Sequence, residues 1–425
     1  MNRSHRTSRR KFLGQAAAAT AWTIAGPAIA QARPRVVVIG GGFGGVSCAR
    51  TLHARDGTLD VTLVEPNRTF TACPMSNEVI AGDRTIEAQQ FGYDKVVASG
   101  VKMATQAAIK IDAASRSVGL ADGTVLGYDR LVLSPGIDLR FDALPGYDEA
   151  AAVRMPHAWK AGEQTLLLRR QLEAMEDGGL VVISVPANPY RCPPGPYERA
   201  SLIAHYLKTR KPRSKLIILD SKDAFSKQRL FQQAWQELYP GLLEWVGLSH
   251  GGKVTSVDAA TNTLVTDFDK HKAAVANVLP PQRAGQIAAI AGVTDRSGWC
   301  PIDPVTFESR QVPNIHVIGD ACIAGGMPKS AFSANAQAKA CANAVVSLLA
   351  GAVPAPSKLI NTCYSLVAPD YGISIAGVYS PKNGLLADVE GAGGTSPLDA
   401  PGSFRNQEAV YARSWFDTVT GEVFG

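Results

Sequence analysis

A β-branched run ending in GxGxxG near the N-terminus, a second strand whose turn carries prolines in place of glycines, and a late apolar strand closing on Gly-Asp together predict an α/β protein. The expected architecture is two Rossmann-like domains, the second without its nucleotide site, followed by a C-terminal α+β domain. A chain of 425 residues, 46% apolar and 19% charged, suits two or three globular domains and excludes disorder, collagen-like repeats and a coiled coil. The net charge is +6, but Arg3, Arg6, Arg9, Arg10 and Lys11 stand before residue 31 with no acid beside them. The remainder is nearly neutral, and nothing in it points to a nucleic-acid surface.

Residues 1–30 read as an export leader. Ser8-Arg9-Arg10-Lys11-Phe12-Leu13-Gly14 precedes a mildly apolar stretch from Gln15 to Ala25, and Pro27-Ala28-Ile29-Ala30 offers small residues at the cleavage spacing. This is a twin-arginine signal with cleavage expected near Ala30, which predicts a periplasmic protein exported already folded. Gln15, Thr20 and Thr23 interrupt the apolar run, which falls short of the roughly 20 residues a spanning helix needs. No later segment is expected to span a bilayer.

Arg35 to Ile39 suits a buried parallel strand and leads into Gly40-Gly41-Gly42-Phe43-Gly44-Gly45, then a helix from Val46 to Ala54. Gly40 permits the tight turn, Gly42 lets a pyrophosphate approach the backbone, and Gly45 lets helix and strand pack closely. A second strand, Leu59 to Val64, ends in Glu65, placed to bind ribose hydroxyls. Val312 to Ile318 then Gly319-Asp320 resembles the second FAD signature of two-dinucleotide-fold flavoproteins, whose aspartate binds the ribityl chain. Tyr128 to Gly136 resembles the strand and turn that leave the FAD domain of that family. The helix from Lys329 to Leu349 reads either as a positive helix end aimed at the flavin or as an ordinary core helix.

The inserted domain repeats the strand at Gly179 to Ser184, a helix from Tyr197 to Lys208 and a strand Leu216 to Asp220. Its turn, Val185 to Glu198, carries Pro186, Pro189, Pro193, Pro194 and Pro196, which remove the N–H donors a pyrophosphate requires. No dinucleotide is expected there. Cys192 stands close to the following helix N-terminus, whose field favours a thiolate. Glu198, in the helix's first turn, either handles protons for that thiol or complements the helix dipole.

These residues identify the chain as resembling the flavoprotein subunit of flavocytochrome c sulfide dehydrogenase, a relative of sulfide:quinone reductases and disulfide reductases. The marks are Cys192-Pro193-Pro194-Gly195-Pro196-Tyr197-Glu198, Asn277-Val278-Leu279-Pro280-Pro281-Gln282-Arg283-Ala284-Gly285, and Asn361-Thr362-Cys363-Tyr364-Ser365. The resemblance implies a redox-active disulfide between Cys192 and Cys363, a pairing that the seven cysteines alone leave open. It also implies FAD attached through Cys73, in Phe70-Thr71-Ala72-Cys73-Pro74, where no neighbouring His or Cys suggests a metal. Cys48, Cys300, Cys322 and Cys341 read as packing residues.

The resemblance implies that hydrosulfide attacks the disulfide and that the electrons leave to a c-type cytochrome subunit. With no CxxCH motif in the chain, haem belongs on that partner. A quinone acceptor is the runner-up; the tail from Asp388 to Gly425, rich in Gly, Pro, Asp, Ser and Thr, reads as lacking the amphipathic helix a quinone site needs. A non-catalytic flavin-binding protein is the third reading. Trp299 and Trp415 are candidates for packing beside the flavin, with the core as the plainer place for Trp299. Expected boundaries are 33–150 and 275–355 for a discontinuous FAD domain, 151–274 for the inserted domain and 356–425 for a C-terminal capping domain with strands that carry Cys363.

Overall fold

The computed structural model describes Met1 and residues 33–425; the expected twin-arginine leader lies outside the described residues. Within the compact unit Pro34–Gly425, strand β1 (Arg35–Ile39) runs into helix α1 (Phe43–Arg55), followed by β2 (Asp60–Val64), β3 (Lys102–Ala104) and β4 (Arg130–Leu133). A second set holds β5 (Leu180–Val185), α2 (Gly195–Arg210), β6 (Lys215–Asp220), α3 (Gln228–Leu238), β7 (Leu243–Val246) and β8 (Val275–Val278). The chain then returns through β9 (Ile315–Val317) and α4 (Ala331–Leu349). Last come β10 (Leu359–Ala368), β11 (Tyr371–Lys382), β12 (Leu385–Asp388) and α5 (Gly402–Phe424).

Two parallel sheets result. The first has the order β9-β4-β1-β2-β3 and the second β7-β6-β5-β8. Val36, Val37 and Val38 in β1 and Val181, Val182 and Ile183 in β5 are buried, as β-branched strands covered on both faces must be. Each strand releases its turn at the carboxyl edge of its sheet, where open α/β folds hold ligands.

The domain boundaries differ from those expected. Val275–Val278 pairs with β5 and completes the second sheet rather than opening the return to the first. Leu144, Tyr147, Ala151 and Met155 share a core with Val182 and Leu219, so they too belong with the second domain. The crossings fall where Ile137–Leu139 pairs antiparallel with Gln282–Ala284. Short crossing strands of that kind carry no apolar periodicity long enough to mark a boundary.

The tail also differs. Residues 402–424, in the tail that reads as lacking an amphipathic helix, form a 23-residue helix with one buried face. Its buried stripe, Arg405, Glu408, Ala412, Phe416, Val419, Thr420 and Val423, follows helical spacing against β11. Polar residues in that stripe hide its period. Buried Arg405 lies 3.6 Å from Glu408, which accepts from Ser374 and Ser396 at 2.6 Å each. The helix ends in the first domain: Phe424 stacks on Phe70 and on Phe91, with ring centroids 5.2 Å apart in both pairs, and Arg50 donates to the Glu422 and Val423 carbonyls.

Candidate active site

The first turn is built as its glycines require. Gly40 has φ +109° and a side chain there would strike the Ser134 carbonyl, while one at Gly45 would strike the Gly40 carbonyl. Gly42 meets only the Phe70 ring, at 3.4 Å, and faces an open cavity. Glu65 Oε2 accepts from the Gly41 amide at 2.9 Å and so braces the loop from the end of β2.

Into that cavity the fold brings Gly42, Cys73, Cys192, Glu198, Asp320 and Cys363. Gly40, Gly45 and Glu65 hold the loop beside it and do not line it. Trp415 lines it, stacked on Phe332 at 5.9 Å; Trp299 lies in the core, with the Lys329 ammonium 3.9 Å from its ring centre. Cys48, Cys300, Cys322 and Cys341 are fully buried outside the cavity.

The residues fit FAD. Asp320 lines the cavity and its Oδ1 is a buried oxygen with no partner, an acceptor suited to a ribityl hydroxyl. Burial raises the Asp320 carboxyl, against the pull of Arg191 and Lys329. The first turn of α4, from Ala331 to Ala334, also lines the cavity and holds no acidic residue to oppose an anion. Ser330 caps that helix by accepting from the Ser333 amide at 3.0 Å.

The sulfur side comes from the second and C-terminal domains. Cys192 takes φ +58°, and its amide donates to the Lys329 carbonyl at 2.8 Å. The helix after it begins at Gly195, where a Cβ would sit 3.0 Å from the Cys192 sulfur and 2.8 Å from Trp159, so only glycine leaves that sulfur its place. Cys363 lies on β10, opposite Ile375 of β11. Its sulfur accepts from Asn361 Nδ2 at 3.2 Å, and Asn361 Oδ1 accepts from Ser330 at 2.6 Å, which links the thiol to the cap of α4.

The expected thiolate field does not prevail at Cys192. Burial pushes that thiol far above its ordinary range, Glu198 and Cys363 add to the push, and Arg191 and Lys227 oppose it. Burial likewise raises Cys363, against Lys227, Asn361 and Ser330. Both are free thiols here. Glu198 is raised to about 7 by burial, opposed by Lys227, the Leu366 amide and Arg199. A carboxyl so raised is suited to exchange a proton near neutral pH.

Sequence reasoning missed the groups behind these residues. Arg199 donates to Asn77 Oδ1, the His157 carbonyl and Asn277 Oδ1 at 3.0 Å each, and covers the Trp159 ring at 4.8 Å. Arg191 donates to the Trp159 carbonyl, and its amide to Gln282 Oε1 at 2.9 Å. Asn277 and Gln282 belong to a segment singled out in the sequence, so the signal was there without its meaning: that segment braces the cysteine turn. Lys227, a lone lysine in Phe225-Ser226-Lys227-Gln228 with no motif around it, is buried.

The second turn has no place for a pyrophosphate. Pro194 and Pro196 lack N–H groups, the Gly195 amide donates to the Cys192 carbonyl, and those of Tyr197 and Glu198 donate to the Pro194 carbonyl. Asp220, at the end of β6, is fully buried and held by Tyr197 at 2.6 Å, Trp245 at 2.9 Å and Lys222 at 2.6 Å.

Comparison with known proteins agrees with this division. Residues 165–280 match the family model for the central part of the sulfide dehydrogenase [flavocytochrome c] flavoprotein chain, and residues 355–424 the flavin-binding part of flavocytochrome c sulphide dehydrogenase. Residues 34–171 match pyridine nucleotide-disulphide oxidoreductase. The sulfide dehydrogenase [flavocytochrome c] flavoprotein chain of Chlorobaculum thiosulfatiphilum is 58% identical over 45 residues, 11% of this chain and 94% of that sequence. Mouse mitochondrial sulfide:quinone oxidoreductase is 23% identical over 347 residues, 78% of this chain and 71% of the relative. The fold is that of the Aquifex aeolicus sulfide:quinone oxidoreductase, with a TM-score of 0.71 at 18% identity over 92% of each chain. The paired glycine and cysteine turns, with these matches over the inserted domain and the C-terminal region, place the chain in the family of flavocytochrome c sulfide dehydrogenase flavoprotein chains.

Proposed function

We propose that this protein oxidises hydrogen sulfide to sulfur or polysulfide through Cys192 and Cys363 and passes the electrons by way of FAD to a c-type cytochrome subunit. One observation carries the reading: Cys192 and Cys363, from different domains, meet in the cavity that also holds the glycine loop, Asp320 and Cys73. Hydrosulfide attacks a Cys192–Cys363 disulfide; the old S–S bond breaks, a new one forms to sulfide as a persulfide, and the other cysteine leaves as a thiolate. Glu198 takes up the persulfide proton, and Arg191 and Arg199 supply the positive potential that draws an anion in. FAD, when bound, would accept an electron pair and release it one electron at a time. Gly42 and the start of α1 would hold its pyrophosphate, Asp320 its ribityl chain, and Cys73 its ring through a thioether.

The family match supports a heterodimer with a haem-bearing cytochrome, and the leader supports export to the periplasm. No helix among the described residues is long and apolar enough to cross a membrane. The preference for cytochrome over quinone rests on the family match. A C-terminal helix exists; one stripe of it packs on β11 and the first domain, while Phe404, Val410 and Tyr411 stay exposed.

Purified native protein tests the reading. Sulfide should bleach the flavin, Cys192→Ser should abolish that bleaching with flavin still bound, and acid precipitation should leave flavin on the wild type but free it from Cys73→Ser. Undiminished bleaching in Cys192→Ser excludes the disulfide route. Co-purifying haem supports the cytochrome; fast reoxidation by a quinone alone favours the runner-up.

A further inference from the structure

Lys227 belongs to neither the glycine loop nor the cysteine turn, yet it is built into the sulfur site from behind. It stands in the left-handed conformation at φ +62° as the residue before α3, and only 7% of it is exposed. Its ammonium crosses from the second domain to the C-terminal strands and donates to the Cys363 carbonyl at 2.8 Å, to Ser365 Oγ at 2.7 Å and to the Ile373 carbonyl at 3.4 Å. All three acceptors are neutral. A buried cation with neutral ligands is costly unless nearby negative charge repays it.

Cys363, Glu198, Cys192 and, least of the four, Glu408 favour its charge, and the Phe231 ring lies 5.7 Å away. Glu198 in turn faces Lys227, Arg199 and Glu78, and Glu78 is already ion-paired with Arg84 and Arg413. Cys363 faces Lys227 and Glu198 and accepts from Asn361. The charge of the lysine therefore acts on both sulfurs and the carboxylate, and its ammonium grips the backbone of one of the two cysteines.

We propose that Lys227 is the positioning residue of the sulfur pair: through the Cys363 carbonyl it fixes where that sulfur sits, and through its ammonium charge it favours the thiolate that sulfide attack releases beside Glu198. This rests on the sulfide-oxidation reading for its purpose, though not for its electrostatics. In the step concerned, the disulfide is reduced and the attacking sulfide sulfur is oxidised as it becomes the outer atom of a persulfide. One new negative charge then appears on a cysteine in a buried site, and Lys227 meets it without moving. Burial lowers the lysine to about 8, with Cys363, Glu198 and Cys192 holding it up against that loss.

The test uses holoprotein with Lys227→Gln, which keeps a donor and loses the charge, and Lys227→Arg, which keeps the charge. After reduction with dithiothreitol, iodoacetamide alkylation of Cys192 and Cys363 is followed against pH by peptide mass spectrometry. Lys227→Gln should raise the alkylation midpoint of Cys363 by about one pH unit and slow sulfide-dependent flavin bleaching about tenfold. Lys227→Arg should stay within about threefold of the wild type. An unmoved Cys363 midpoint in Lys227→Gln overturns the proposal, as does an arginine variant no better than the glutamine one. If Lys227→Gln does not fold, a shift of a full unit in Lys227→Arg overturns it instead. If wild-type flavin is not bleached by sulfide, the function reading fails while the alkylation midpoints still decide the role of Lys227.

Discussion

The same strand, turn and helix occur twice in this molecule and do opposite things. After β1, glycines leave the cavity wall bare, and the acid at the end of the next strand, Glu65, braces the loop through the Gly41 amide. After β5, prolines and backbone turns consume the helix-start amides, and the matching acid, Asp220, is sealed by Tyr197, Trp245 and Lys222. Phe225 stacks on Tyr197 at 3.6 Å and completes the plug. The parallel sheet supplies only an address; the residues in the turn decide whether a nucleotide or a pair of sulfurs answers to it.

The sharpest way to break this contrast is Gly45→Val. Its side chain strikes the Gly40 carbonyl, so the expected result is protein without flavin and about 1–3 kcal/mol less stable, read by absorbance and urea unfolding. Retained flavin would show that the loop tolerates what the geometry forbids. Next comes Glu198→Gln, expected to slow sulfide-dependent bleaching about a hundredfold. With its carboxyl raised to about 7, Glu198 is protonated below that pH and a base above it. The wild-type to variant rate ratio, which cancels the ionisation of sulfide itself, should therefore climb as pH rises through about 7; a flat ratio removes Glu198 from proton transfer. The same shift means the native state binds that proton more tightly than the unfolded chain. Its contribution to stability is accordingly lost as pH rises from the ordinary carboxylate range to about 7.

Tyr197→Phe sharpens the other half. It removes a buried hydrogen bond to Asp220 and should cost about 1.5–3 kcal/mol in urea unfolding, while the ring still fills the site and NADH still fails to bleach the flavin. The smallest effect belongs to Pro194→Gly with Pro196→Gly. Restoring backbone donors should not admit NADH, because Tyr197, Trp245 and Lys222 keep Asp220 occupied; rapid bleaching by NADH would show that the prolines alone closed the domain.

Both parallel sheets were legible because each strand is a short β-branched run followed by punctuation, and glycine or proline in a turn has a direct backbone meaning. Some of the residues lining the cavity were legible for the same reason: Gly42, Asp320 and Cys192 sit in motifs. What stayed hidden acts across domains. Lys227 and Arg199 touch their partners through the fold, and spacing along one chain carries no trace of such contacts. Helix α5 was hidden differently, because Arg405, Glu408 and Thr420 occupy buried positions where the period calls for apolar residues. The thiol at Cys192 was misjudged because proximity to a helix start is a local cue, whereas desolvation depends on everything packed around it.

The stacking of Phe424 on Phe70 and Phe91 has a consequence for the order of events during synthesis. The glycine loop and these two aromatic partners are translated early, but the wall behind them is completed only by residues 402–424 and by β9. The first domain therefore cannot close around its glycine loop until residues 402–424 have been made, however early its own strands form.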